Sequence, residues 1–559
     1  VRRSLHCGAV PVSEMNLYRK ALGILGILAF AYFGGHYVSM LRNPPEAEPI
    51  ATVTSKTANR PSSAFQEKDK TLPKPLDLLP TEDALTDADL ALANELLLSF
   101  KDQNAYDRFI ADAERAGISI IARNLTLKAL RVRSNKENNA QRIRELAGEN
   151  ADIDFNYLVV TPTIPQPTLT GIANQPFKNN ALDWLGVPED NDQWGKGITI
   201  AILDTGIDDH PTLEGVNIKR INLVDSNENQ DSEYNGHGTA IASLVAGGNH
   251  AGIAPKTDLL SIQVMNSDGT GDSFTLATGI VEAVDQGASI ISMSLGSYGY
   301  STTLENAIAY AQANNVILVA SAGNDGMGEI TYPARFDGVI GVAAIDTESQ
   351  RAEFSNFSED VDIAAPGVGV YAAWGEEKWT SFSGTSAATP FVAGGIAATL
   401  SLYPKLTPQE AVGIVLTHAD DASAPGIDVN IGHGTLNMDR ILDRDQSGIA
   451  DAALADFYLD FDQATETTIP LMVTVQNRGT ESLRSVSIDL VQNEGQSQRI
   501  YLGQLIENQT TSYTIYLDRS QLTSETGYTI QAQTYLGGQT DSREDNDSKS
   551  GHLKILPEN

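Results

Sequence analysis

The sequence predicts an α/β chain in three folded parts. A doubly wound, mostly parallel sheet occupies 181–445, an α+β unit precedes it over 93–160, and a β-sandwich follows over 455–556. Three observations carry this reading. Between 181 and 440 the apolar runs Ile198–Leu203, Leu259–Val264, Ser289–Met293, Val316–Ala320 and Val339–Ala343 alternate with helical stretches. Strands that are apolar on both faces belong in a parallel sheet covered on both sides. Over 93–160 the pattern runs β-α-β-β-α-β, the order of a ferredoxin-like unit. After 455, short strand-like runs recur between turns rich in Gly, Asn and Asp, which suggests two packed sheets. With 559 residues, the chain is too long for one core.

In chain order, residues 1–42 form a leader. Met15 offers a start, Arg19 and Lys20 follow, and 21–41 is a largely apolar run of 21 residues, long enough to span a bilayer. It reads as a signal anchor, the favoured reading, or as a signal peptide cleaved near Ala29-Phe30-Ala31. In both cases the two bases stay in the cytoplasm and the bulk of the chain is exported. Residues 43–92 are a linker, with seven prolines between 43 and 80. In the α+β unit Glu95–Phe100 is a strand, and Tyr106, Phe109, Ile110 and Ala113 mark a helix. Ile118–Ala122 and Leu125–Val132 are strands around a turn at Asn124, Arg142–Ala147 is a helix and Phe155–Val160 the last strand. Pro162, Pro165 and Pro167 mark an exposed connection over 161–180. The last part reads as strands at Leu471–Val475, Val486–Val491, Gln498–Leu502, Ser512–Leu517, Tyr528–Thr534 and His552–Leu556.

The net charge is −34 and its distribution is uneven. Residues 1–180 hold 20 acids and 21 bases, whereas 181–440 hold 34 and 9, and 441–559 hold 18 and 8. The acidity therefore belongs to the part after residue 180, where it keeps a protein soluble rather than marking one partner. No basic face exists for a nucleic acid. The one cysteine, Cys7, excludes an internal disulfide framework and a cysteine-ligated metal site.

Three segments carry chemistry. Asp204 follows a buried strand in Ile202-Leu203-Asp204-Thr205-Gly206, at the sheet edge where such folds bind ligands. His237 lies in Asn235-Gly236-His237-Gly238-Thr239, before a helix of small residues. Ser386 lies in Ser383-Gly384-Thr385-Ser386-Ala387-Ala388-Thr389-Pro390, opening an uncharged helix to about Leu402. Alone, each has a plain structural reading as a strand-end cap, a core histidine or an N-cap. Together they supply a serine nucleophile, the base that takes its proton and the carboxylate that fixes the tautomer, in the order Asp, His, Ser.

These segments make the chain resemble the subtilases, the subtilisin-like serine proteases, over roughly 180–440. Further matching segments are His210-Pro211, Gly252–Pro255, Ser292–Gly296, Ser321–Asn324, Tyr332–Ala334 and Ala365–Gly367. The resemblance implies an endopeptidase that forms an acyl-enzyme on Ser386, with Asn324 and the Ser386 N–H as oxyanion donors. It implies that Ser294, Leu295 and Gly296 pair with the substrate backbone on one side and Gly269, Thr270 and Gly271 on the other, so that substrate binds as an added strand. Leu295–Gly296 and Ala320–Gly323, including Ala322, would wall a specificity pocket with Thr331 at its base. The 93–160 unit, with ten acids and ten bases, resembles the propeptide that assists folding and then inhibits the active site. Cleavage is expected between about Val160 and Gln175. The C-terminal unit resembles bacterial adhesion-type Ig-like domains.

The chemistry needs no cofactor, and the remaining cation question is structural calcium. The stretch after His237 is shorter than in bacterial subtilisins, which puts their calcium loop in doubt. A weaker cation site from the Ala334, Phe336 and Val339 carbonyls with Asp362 is implied by the resemblance. Asp443, Asp445, Ser447, Gly448 and Asp451 resemble the start of a calcium loop, although position twelve is Leu454 and an acidic linker is the favoured reading. The expected partners are protein substrates, the chain's own propeptide and, if the leader is retained, a membrane; no nucleic acid is expected, and the protein is read as a monomer. Aspartic-protease chemistry is disfavoured because no second Asp-Thr-Gly exists, and a Gly-x-Ser-x-Gly hydrolase because Ala388 replaces the second Gly. The rival from another class is a catalytically inactive adhesion or binding protein on the same scaffold.

Overall fold

The computed structural model describes residues 4–6, 91–133, 139–162, 175–224, 236–375, 377–493, 495–522 and 527–553. The apolar span 21–41, the Pro-rich linker and Cys7 lie outside these residues, as do 163–174 of the connection.

The first unit runs β1 (Ala91–Phe100), α1 (Gln103–Ala116), β2 (Ser119–Asn124), β3 (Ala129–Arg133), α2 (Asn139–Ala147) and β4 (Ala151–Val160). Asp102 caps α1 by accepting from the Ala105 N–H, and Gly117, at φ 72°, ends it in the left-handed region. Alternation along β1 decides what the sheet touches. Leu96, Leu98 and Phe100 join Tyr106, Phe109 and Ile143 in the unit's own core, while Leu97 on the opposite face joins the core of the central domain. The strand expected from Leu125 begins later, at Ala129. Residues 125–128 instead form a turn closed by Asn124 Oδ1, which accepts from the Leu127 N–H at 3.0 Å.

The central domain is a seven-stranded sheet, parallel throughout. Its strands are β5 (Thr199–Asp204), β6 (Ile218–Asn222), β7 (Asp258–Gln263), β9 (Ile290–Met293), β10 (Ile317–Ser321), β11 (Val339–Ile345) and β12 (Ile363–Pro366), in the order β12-β11-β10-β9-β5-β7-β6. The order reverses between β5 and β9, so a crevice opens beyond their carboxyl ends. Strands β6 and β12 escape the sequence reading. The edge strand β6 carries Lys219, Arg220 and Asn222, and β12 is only four residues long. Helices α3 (His237–Ala246), α4 (Ser273–Asp285), α5 (Thr302–Ala313), α6 (Thr385–Leu402), α7 (Pro408–Thr417) and α8 (Met438–Asp443) cover the sheet. Among the described residues only α6 is long and apolar enough to cross a membrane, and 83% of it is buried inside the protein. It is therefore a core helix. A hairpin, β13 (Val370–Trp374) and β14 (Lys378–Phe382), leads into it.

The short strand β8 (Thr270–Asp272) belongs to another sheet. It pairs antiparallel with β4, extending the first unit's sheet in the order β2-β3-β1-β4-β8.

The last unit has seven strands: β15 (Ala452–Leu459), β16 (Thr468–Asn477), β17 (Leu483–Gln492), β18 (Gln498–Leu505), β19 (Thr510–Asp518), β20 (Tyr528–Leu536) and β21 (Ser548–Leu553). They form two antiparallel sheets, β15-β16-β19 and β21-β20-β17-β18, with Ser4–His6 added parallel to β21. One buried core, including Phe457, Leu471, Val473, Ile488 and Ile530, lies between them. The unit begins before residue 455, because Ala450, Ala452 and Leu454 already belong to that core.

Candidate active site

Asp204 ends β5 at the crevice and His237 opens α3. Both are buried, and His237 Nδ1 lies 2.8 Å from Asp204 Oδ1 and 2.9 Å from Oδ2. The Thr205 N–H donates to Asp204 Oδ1 at 2.7 Å, which fixes the carboxylate. With Nδ1–H given to Asp204, Nε2 is left as the acceptor. It is buried and makes no hydrogen bond. Gly236 lets the hairpin close on this ring. Its φ is 109°, and a Cβ there would sit 2.5 Å from the Gly375 nitrogen. The hairpin then places Phe382 and Trp374 edge-on to the imidazole, at centroid distances of 5.3 and 6.4 Å.

Ser386 is the second residue of α6, after Gly384 at φ 143°. Its carbonyl would ordinarily accept from residue 390, but Pro390 has no N–H. Ser294 Oγ donates to that carbonyl instead, at 3.1 Å. Ser386 Oγ points back at the Ser294 carbonyl, 3.4 Å away, rather than at His237 Nε2. The structure thus brings Asp204 and His237 into contact, whereas the Ser386 hydroxyl is turned to the Ser294 carbonyl and makes no hydrogen bond to His237. Such contacts often tighten only when substrate binds.

Asn324 lies on the segment after β10. Its Oδ1 accepts from the Thr385 N–H at 2.9 Å and from Thr385 Oγ at 2.8 Å. This fixes the amide with Nδ2 toward the start of α6, where a Cβ on Gly384 would lie 2.9 Å from it. Two donors, Asn324 Nδ2 and the N–H groups of the α6 N-terminus, therefore face one place.

The cleft is filled by the chain itself. Val160 exchanges both backbone hydrogen bonds with Gly296, at 2.9 Å each. Val159 and Val160 pair with Gly271 and Thr270, and the Thr161 N–H donates to the Gly269 carbonyl at 2.8 Å. Residues 158–161 thus lie as a strand between Gly269–Gly271 and Gly296, the two segments the sequence singled out. Behind Gly296 the pocket residues converge. A Cβ on Gly296 would meet Thr331 Oγ at 2.2 Å, one on Gly323 would lie 3.2 Å from Thr331 Cγ, and the Thr331 N–H donates to Ala322 O at 3.1 Å. Leu295 and Ala322 are buried beside them.

The acids named as cation ligands each have a partner within the protein. Asp362 Oδ2 accepts from the Gly341 N–H at 2.9 Å. Asp443 is paired with Arg543 at 2.6 Å and Asp445 with Arg444 at 3.0 Å. Asp451, whose carboxyl is pushed up to about 6 by burial, accepts from Asn546 Nδ2 at 3.0 Å. Among the described residues no three His, Cys, Asp or Glu side chains form a group able to hold a metal.

The sequence reading missed the residues that hold this machinery. Thr385 lies inside a quoted motif, so its place beside Ser386 was the available signal. Trp374 and Phe382 gave no signal, since only the hairpin brings them to His237.

Comparison with known proteins places these features in a family. Residues 195–434 match the Subtilase family. The chain is 41% identical over 218 residues to a thermostable alkaline protease of Halalkalibacterium halodurans, covering 38% of this chain and 60% of that protein. It is 36% identical over 254 residues to subtilisin DY of Bacillus licheniformis, covering 44% of this chain and 90% of the relative. The fold is shared with fervidolysin from Fervidobacterium pennivorans, a keratinolytic enzyme related to subtilisin, at a TM-score of 0.54 and 20% identity over 84% of this chain and 92% of that one. With nearly the whole of one subtilisin matched above 30% identity, the chain belongs to the subtilase family and is a subtilisin-like serine endopeptidase.

Proposed function

We propose that the protein is an exported, self-processed zymogen whose catalytic groups are Asp204, His237, Ser386 and Asn324. The observation that carries this reading is the strand 158–161, laid in the cleft beside the buried Asp204–His237 pair. The unit it ends, the 93–160 propeptide, occupies the path of a substrate. After cleavage between about Val160 and Gln175 the same path is open to a protein substrate.

In the reaction, His237 Nε2 takes the Ser386 hydroxyl proton as Oγ attacks the scissile carbonyl. Asp204 keeps the Nδ1–H tautomer and stabilises the imidazolium. Asn324 Nδ2 and the Ser386 N–H receive the developing oxyanion; loss of one such donor costs about 10²–10³ in turnover, a magnitude measured on subtilisin itself. The imidazolium then protonates the leaving amine, and water, activated by the same base, releases the acyl group from Ser386. Gly296 and Gly269–Gly271 align the substrate backbone, and Thr331 limits the pocket to modest apolar side chains. Export and anchoring through 21–41, and an Ig-like role for the two C-terminal sheets, complete the proposal.

The test is Ser386→Ala. The variant should accumulate at full length and leave casein intact, while the wild-type protein yields a mature N-terminus between Val160 and Gln175. Processing or casein hydrolysis by the variant would overturn the reading. An unprocessed, inactive wild-type protein would favour the binding-scaffold alternative.

A further inference from the structure

The segment that carries Asn324 has no ladder of its own. Residues 322–327 form neither helix nor strand, and they turn through two glycines in the left-handed region, Gly323 at φ 106° and Gly326 at φ 64°. An unsupported turn of this kind does not hold a side-chain amide to the few tenths of an ångström that a preorganised donor needs.

Thr385 holds Asn324 Oδ1 and the Gly323 N–H, and the Phe354 carbonyl holds the Gly326 N–H, but one side chain ties the turn on both sides of Asn324. Asn356 is completely buried, and its amide is used at both ends. Oδ1 accepts from the Asp325 and Met327 N–H groups, each at 3.0 Å. Nδ2 donates to the Ala322 carbonyl at 3.2 Å and to the Tyr298 hydroxyl at 2.8 Å. Its own N–H donates to the Gly323 carbonyl at 3.0 Å. Residues 322, 323, 325 and 327 are therefore all tied to Asn356, two on each side of Asn324. The fit also constrains Gly323, because a Cβ there would lie 2.4 Å from Asn356 Nδ2. Tyr298 closes the arrangement by donating from the same hydroxyl to Asp325 at 2.6 Å.

We infer that Asn356 is a positioning residue for the oxyanion amide: it fixes the 322–327 turn so that Asn324 Nδ2 stays aimed beside Ser386. This rests on the proposed role of Asn324. The side-chain chemistry is specific. A carboxamide accepts from two N–H groups at one end while donating to a carbonyl and a hydroxyl from the other, a set that no single hydroxyl or carboxylate supplies. Aspartate keeps the acceptors but turns a second negative oxygen on the Ala322 carbonyl. Leucine leaves the Asp325 and Met327 N–H groups without their acceptor.

The experiment is a double-mutant cycle in the processed enzyme, read by steady-state kinetics on a peptide substrate. Asn356→Ala should lower kcat by about 10- to 100-fold with KM within about twofold, because the lost interaction belongs to the transition state. Tyr298→Phe, a milder variant that keeps the ring, should lower kcat by about two- to fivefold. A peptide aldehyde, whose adduct oxygen occupies the oxyanion position, should weaken in parallel with kcat/KM, while a product peptide acid binds unchanged. In an Asn324→Ala background, Asn356→Ala should cost less than about twofold, since it acts through the amide already removed. Multiplying losses in the double mutant would overturn the inference. So would a fall in melting temperature with kcat unaltered, or a rise in KM alone. Loss of the underlying reading is distinguishable: there Asn324→Ala itself would leave kcat unchanged.

Discussion

The first and last units both dock on the central domain, and they do so by opposite means. The first unit contributes Leu97, Leu127, Ala129 and Val159 to the central core and adds a shared sheet edge through β8. Several of its polar contacts end on helix N-termini. Asp154 accepts from the Thr302 N–H at the start of α5, and Asn156 Oδ1 accepts from Ser273 Oγ and the Phe274 N–H at the start of α4. Arg131 bridges Glu95 and Asp272 at 2.6 and 3.0 Å. Among the described residues the last unit's apolar core is separate from that of the central domain. It is joined by buried charge. Arg440, on α8, donates to the Ala419 carbonyl and to Asn508 across the junction, and Asp420 pairs with both Arg440 and Arg478. Lys549 and the Ser423 N–H meet on Asp456.

On the proposed processing, the difference separates a removable partner from a permanent one. Apolar contact and backbone pairing are what any extended peptide offers, so a substrate can replace the first unit's tail. A buried ion network is directional and costly to leave half-formed, so it fixes how the last unit sits rather than supplying much net stability.

The comparison breaks most visibly at Arg440. Arg440→Ala leaves Asp420 with a reduced partner set in a buried junction and should destabilise the protein by about 3–5 kcal/mol, lowering the thermal midpoint. The alternative, a midpoint unchanged to within a degree, would show that the network carries no weight. Arg131→Ala should act on the other interface alone. It strips Glu95 and Asp272 of their shared cation and, if the first unit is the proposed propeptide, weakens its retention by about 2–5 kcal/mol and speeds the appearance of activity, without moving the melting temperature of the processed enzyme.

A pH dependence sharpens the contrast. Burial pushes Asp154 up to about 6 in the docked state, whereas on the separated unit it returns to the ordinary range near 4. The docked form therefore holds its proton more tightly, so docking is strongest below the separated value and weakens as pH rises from about 4 through about 6. The ceiling on this effect is about 100-fold in affinity. Activation of the processed complex should quicken across that window and then level off. Asp154→Asn should flatten the profile, and an unaltered profile would sink the assignment. The smallest effect is expected from Ser99→Ala. Its hydroxyl meets Thr303 Oγ at 2.9 Å in the buried interface, and its loss should cost about 1 kcal/mol of docking, seen as slightly faster release.

Much of this was legible in the sequence because its signals are local. Apolar runs gave the parallel strands, and the motifs around Asp204, His237 and Ser386 pointed to neighbouring positions at one sheet edge. Long-range partnership was not legible. Asp443, Asp445 and Asp451 have calcium-loop spacing, but Arg543, a hundred residues on, takes Asp443. Asn356 carries no local signal, since its meaning lies in a turn 30 residues earlier. The short polar strand β6 and the hairpin beside His237 escaped because their pairing, not their composition, makes them strands.

The borrowed strand β8 has one further consequence. On the proposed processing, departure of the first unit would leave Thr270–Asp272 as a bare sheet edge, a place where strands of unfolded chains add without control. At three residues it is too short to seed a growing stack, yet long enough to register an incoming peptide. The enzyme thus keeps open the kind of edge that most folds hide, at the least length that still serves.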